Sequence, residues 1–86
     1  MNKEHIQEQY KKMGKNFMTP EVKDVVIHSD GRLVELSIGT DLEGDKIWGV
    51  TEMEVQDGRL QTTKRGQMHR SAKSARKHFN MLLGAF

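Results

Sequence analysis

The sequence predicts an α+β fold: an N-terminal helix, a four-stranded antiparallel sheet from two hairpins, and a C-terminal amphipathic basic helix packed on one face. Three observations carry this expectation. Asp30-Gly31 and Asp57-Gly58 each stand between segments of alternating apolar residues, the strongest short-range signal for a hairpin. The segments before and after these strands instead repeat their apolar residues at helical spacing. Finally, 86 residues of which 35% are hydrophobic suffice for one thin-cored domain, residues 1–86. Its economical layer arrangement is a sheet with helices on one side.

The first helix is expected over residues 2–13, with Asn2 as its cap, Glu4 in the first turn and Gly14 as terminator. Ile6, Tyr10 and Met13 form a narrow apolar stripe, suited to packing on the sheet or against a second copy of the chain. Residues 15–20 connect it to the sheet, with Phe17 and Met18 as anchors. The strands are expected at Val22–Ser29, Arg32–Gly39, Lys46–Val55 and Arg59–Thr63. In the second, Val34, Leu36 and Ile38 alternate with Leu33, Glu35 and Ser37, which predicts one buried face. In the third, Ile47, Met53 and Val55 oppose Trp48, Val50, Glu52 and Glu54, so an acidic outer face bearing the tryptophan is expected. The last helix runs from about Ser71, its N-cap, to Leu83, with Gly84 as stop. Ala72, Ala75, Phe79, Leu82 and Leu83 fall within an arc of about 100° on it, and Arg70, Lys73, Arg76, Lys77 and Asn80 within a neighbouring arc of about 120°.

The formal net charge of +2 conceals a division. Residues 1–63 carry 8 Lys+Arg against 12 Asp+Glu, whereas residues 64–86 carry Lys64, Arg65, Arg70, Lys73, Arg76 and Lys77 and no acid. Such segregation bears on partners rather than on fold. Cations three and four apart on one helix face make a rail suited to a row of phosphates. Lys64 and Arg65 extend it, and His69 adds a pH-dependent charge or a ring that stacks on a base. The nucleic-acid-binding residues expected are therefore Lys64, Arg65, His69, Arg70, Lys73, Arg76 and Lys77.

The segment Gly66–Leu83 resembles the second helix of the double-stranded-RNA-binding domain. Ser71, Lys73, Ala75 and Arg76 match the Ser-Lys-Lys-x-Ala-Lys start of that helix, and the order helix, strands, helix is similar. The resemblance implies that lysines at the helix start reach phosphates across the major groove. The chain departs from the family in lacking a Gly-Pro-x-His loop between the first two strands, in carrying the acidic run Asp41-Leu42-Glu43-Gly44-Asp45, and in having one strand more.

The other chemistry-bearing residues point to less. Cysteine is absent, which removes disulfides, thiolate metal sites and thiol nucleophiles. In a chain this small it argues for an intracellular, cytoplasmic home, as does the lack of an apolar block in residues 1–20. Asp41, Glu43 and Asp45 lack the rest of a calcium loop. His69 and His78, nine apart, are out of phase on a continuous helix and so cannot share an ion. Ser71 has no nucleophile elbow around it. No catalytic residue, metal or cofactor is expected. The repeated Asp-Gly-Arg-Leu at 30–33 and 57–60 is read as shared turn chemistry. Trp48 is either core or an interface anchor. A small non-enzymatic protein contacting a phosphate backbone through its last helix is the expected function. The partner expected is nucleic acid or an acidic protein surface, and the alternative function is a protein-interaction module, a homodimer or other homo-oligomer, that uses its acidic outer sheet face or the first helix.

Overall fold

A computed structural model of the chain describes residues 3–12 and 22–84. Helix α1 (Lys3–Lys12) precedes strands β1 (Val22–Ile27), β2 (Leu33–Thr40), β3 (Lys46–Gln56), β4 (Arg59–Thr62) and β5 (Gln67–His69), and helix α2 (Ala72–Leu82) follows. The fold is α+β, as the sequence predicts. Asn2, Met13, Gly14 and the connection with Phe17 and Met18 lie outside the described residues.

Both hairpins form where the Asp-Gly pairs stand. Asp57 and Gly58 have φ of 53° and 78°, the left-handed pair that a two-residue turn matched to strand twist requires. The earlier turn is one residue longer. His28 N–H donates to the Arg32 carbonyl at 2.7 Å across Ser29-Asp30-Gly31. Two residues that repeat in sequence thus make turns of different length. Their arginines also diverge, since Arg32 is drawn inward whereas Arg59 is exposed.

The sheet has five strands among the described residues, in the order β1-β2-β3-β4, with β5 also paired to β3. Thus β4 and β5 share one edge of β3. Thr62 pairs with Met53 and Gln67 with Val50, so the four residues between Thr62 and Gln67 face only two on β3. The excess bulges out. Gly66 sits where the bulge returns to the sheet, and a Cβ there would lie 2.7 Å from the Val50 carbonyl oxygen. Only glycine allows that approach.

Two features differ from the sequence reading. The fifth strand is one, and the other is a core on both sides of the sheet. Leu33, Val34, Glu35 and Leu36 are consecutive and all buried, so β2 is covered above and below. Ile6 and Tyr10 of α1 pack with Leu33, Met53 and Leu60. Ala75, Phe79 and Leu82 of α2 pack with Val34, Leu36 and Val50. Neighbouring strand residues point to opposite faces, so the two helices flank the sheet. The face expected to be outer and acidic, bearing Trp48, Val50 and Glu52, is the one α2 covers. Glu52 is 1% exposed on it.

That burial is possible because the carboxylate is fully engaged. Glu52 Oε2 accepts from an Arg32 guanidinium nitrogen at 2.5 Å, and Oε1 accepts from the Thr63 hydroxyl at 2.8 Å. Thr63 N–H also donates to the Glu52 carbonyl at 2.8 Å, which pins the bulge. The same Arg32 nitrogen donates to the Leu82 carbonyl at 2.6 Å, satisfying an end group of α2 that has no partner within the helix. One largely buried pair therefore ties β2, β3, the bulge and α2 together. On the opposite face the Tyr10 hydroxyl donates to buried Glu35. Burial, then that carboxylate, push the Tyr10 pKa well up.

Candidate nucleic-acid interface

Helix α2 stands where the sequence places it. Ser71 has extended backbone angles and its hydroxyl accepts from Ser74 N–H at 3.1 Å, the expected N-cap. Gly84 follows with φ 75°, ending the helix in the left-handed conformation typical of such stops. With Ala75, Phe79 and Leu82 turned to the sheet, Lys73 and Lys77 project to solvent. The flanks then face opposite edges of the sheet. Arg76 leans toward β1, and His78 toward β5.

The seven residues expected to bind phosphate divide into three groups. Arg65, Arg70 and Arg76 are paired within the chain. Arg65 lies 3.6 Å from Glu52, Arg76 contacts Asp24 at 2.9 Å, and Arg70 is bound to Asp41. His69 meets His78. Lys64, Lys73 and Lys77 are exposed and have no ion-pair partner among the described residues. The division between an acidic body and a basic end is therefore partly closed inside one molecule. The sequence could not show this, because Arg76 and Asp24 are 52 positions apart and Arg70 and Asp41 are 29 apart.

The Arg76–Asp24 pair, exposed on both sides, is a weak hold. Arg76 and Asp24 keep 47% and 41% of their side chains exposed, and solvent-exposed pairs contribute about 0–1 kcal/mol. An incoming phosphate can exchange for the carboxylate at small cost. The Arg76 guanidinium also lies 5.2 Å from the centre of the Phe79 ring, which orients it along the edge of α2. Lys23 of β1 completes the arrangement from across the sheet. Lys23, Lys73 and Arg76 rim a groove of 420 Å³ with Leu36, Ile38 and Trp48 in its floor. Neither Lys23 nor the groove was legible in the sequence, since both depend on where α2 crosses the strands.

Asp41 organises the loop between β2 and β3. Its Oδ1 accepts from the amides of Glu43 and Asp45 at 2.9 and 3.0 Å, and its Oδ2 accepts from Arg70. The Arg70 guanidinium first, and the loop amides after it, hold the Asp41 carboxyl below the usual carboxylate range. Carboxylate oxygens of Asp41, Glu43 and Asp45 come within 4.8 Å of one another, but both oxygens of Asp41 already have donors. The run is a turn fastened to the start of α2.

The histidines correct the sequence reading. His69 is in β5 and not on a continuous helix, so the nine-residue phase argument does not apply, and the two rings meet. His69 Nε2 and His78 Nδ1 are 2.9 Å apart, with the rings at 62°. One imidazole donates and the other accepts, which requires at least one to be neutral. Burial first, and His78 second, lower the His69 pKa below 6.5. The unfolded chain then binds more protons than the folded one just below pH 6.5, so stability rises with pH in that window. Stability that is intact above pH 6.5 should decline as the pH falls through it. Melting temperatures at pH 8 and pH 5.5 check this, and His69→Asn should flatten the difference.

Comparison with known proteins yields no match to a family model, to a curated protein or to a solved structure. Among the described residues, no helix is long and apolar enough to cross a membrane.

Proposed function

We propose that this chain is a non-enzymatic nucleic-acid-binding protein that holds the phosphate backbone along the exposed crest of α2. The observation that carries the reading is the convergence of Lys23 from β1 with Lys73 and Arg76 from α2. Those three cations rim one groove, and exposed Lys77 stands on the other flank of the same helix, toward β5. That helix bears no acidic residue. Arg70 and Arg65 serve chiefly to fasten α2 and the bulge, and His69 to join β5 to α2, so the binding set is narrower than the sequence suggests. Contacts to phosphate fix position and carry little sequence information, so the protein binds with low base specificity.

Charge reversal tests this reading. Lys73→Glu combined with Lys77→Glu should weaken oligonucleotide binding by roughly 100-fold or more at low salt, and reduce the salt slope by about one per cation removed. Both side chains are exposed, so melting temperature should barely move. Asp24→Asn should act oppositely, tightening binding by releasing Arg76. Affinity unaffected by the double reversal overturns the reading. A salt-sensitive dimer without nucleic-acid affinity, seen by light scattering, supports instead a module that pairs with protein.

A further inference from the structure

The groove beside α2 is more than a gap between cations. Its floor is apolar, formed by Leu36, Ile38 and half-buried Trp48, while Lys23, Lys73 and Arg76 stand on its rim. A purely electrostatic seat for a duplex needs no such floor. In a duplex the phosphates face outward and the apolar base faces are hidden in the stack, so the floor would meet sugar and water. A single strand presents both chemistries at once. Its phosphates lie within reach of cations while an unstacked base offers a π-face to an aromatic side chain, the combination found wherever single strands are bound without sequence preference. At 420 Å³ the groove also falls within the ~300–1,000 Å³ range of small-ligand sites.

We propose that the preferred ligand is single-stranded nucleic acid, with one base lodged against Trp48 and its flanking phosphates held by Lys23, Lys73 and Arg76. This rests on the phosphate-binding reading above and goes beyond it by assigning the strandedness and the stacking residue. Among the described residues, the carboxylate that meets this rim is Asp24, and it is occupied by Arg76. Three cations against one acid leave the groove attractive to an anion. The stacking is tolerant of sequence, in keeping with the scarcity of side chains suited to reading base edges.

Trp48 is the only tryptophan, so its fluorescence reports on the groove alone. The experiment titrates the full chain with a thymidine oligonucleotide, and with a hairpin duplex of equal phosphate count, at fixed salt. The expected result is tighter binding of the single strand, accompanied by quenching of Trp48 emission. Trp48→Leu, which keeps apolar volume against the core, should cost single-strand affinity roughly 5- to 150-fold, the worth of one base stack, and leave duplex affinity unchanged. Ile38→Gln, which makes the floor polar without adding charge, should have the same selective effect if Trp48→Leu proves poorly folded. Equal binding of duplex and single strand without quenching overturns this inference and leaves the phosphate crest standing. Binding of neither overturns both. Quenching by an acidic, aromatic peptide but not by the oligonucleotide also overturns it, in favour of a protein partner.

Discussion

Glu52→Ala should destabilise the fold by about 3–5 kcal/mol, the loss seen when one member of a buried ion pair is removed. For a domain of this size that is a melting temperature lower by roughly 12–40 °C, and a large part of the whole stability. The size follows from what the carboxylate touches. Its removal leaves the Arg32 guanidinium, only 17% exposed, with the more exposed Asp30 at 2.8 Å as its remaining carboxylate and a cavity where Glu52 stood. It removes the acceptor of the Thr63 hydroxyl, and slackens the bulge that lets β4 and β5 share an edge. It also weakens the hold of Arg32 on the Leu82 carbonyl at the end of α2. Glu52→Gln should cost less, because an amide oxygen still accepts from Thr63, although the charge facing Arg32 is gone. Urea denaturation with both variants measures the difference. A loss below about 1 kcal/mol, the range of exposed pairs, would mean that Glu52 is solvated.

Phe79→Ala should be comparably costly, at about 3–5 kcal/mol. Phe79 is 1% exposed and lies between Ala75 and Leu82 of α2 and the apolar residues of β2 and β3. Truncation removes its transfer free energy and leaves a cavity that a clamped helix cannot close. It further removes the ring beneath Arg76, so the surviving folded molecules should bind oligonucleotide less well. Lys73→Glu with Lys77→Glu should show the reverse pattern, with affinity lost and stability kept. Comparing the two separates the support of the crest from its chemistry.

What the sequence revealed and concealed follows from the range of the interactions involved. Turns and caps are local, so Asp-Gly pairs, the Ser71 cap and the Gly84 stop could be read directly, as could the phase that turns Ala75, Phe79 and Leu82 inward. Strand β5 escaped because Gln67, Met68 and His69 offer three residues with no apolar alternation. It is held by its neighbours rather than by its own pattern. The two-sided core was hidden by Glu35 and Glu52. Acidic residues at strand positions read as solvent-facing, and only the arrival of Tyr10, Arg32 and Thr63 makes their burial tolerable. Among the cations, spacing along one helix identified Lys73, Arg76 and Lys77. Lys23 joins them from a strand about fifty positions earlier, and Asp24 and Asp41 claim Arg76 and Arg70 across 52 and 29 positions. These are tertiary facts with no local trace.

The central proposal is that the cationic groove and crest grip a polyanionic single strand. Its most direct test is the dependence of affinity on salt for a short thymidine oligonucleotide. Engagement of Lys23, Lys73, Arg76 and Lys77 should give a slope of log affinity against log salt near −3, since each phosphate neutralised on a single strand contributes about −0.7. A slope indistinguishable from zero, or no measurable binding at low salt, would contradict the account.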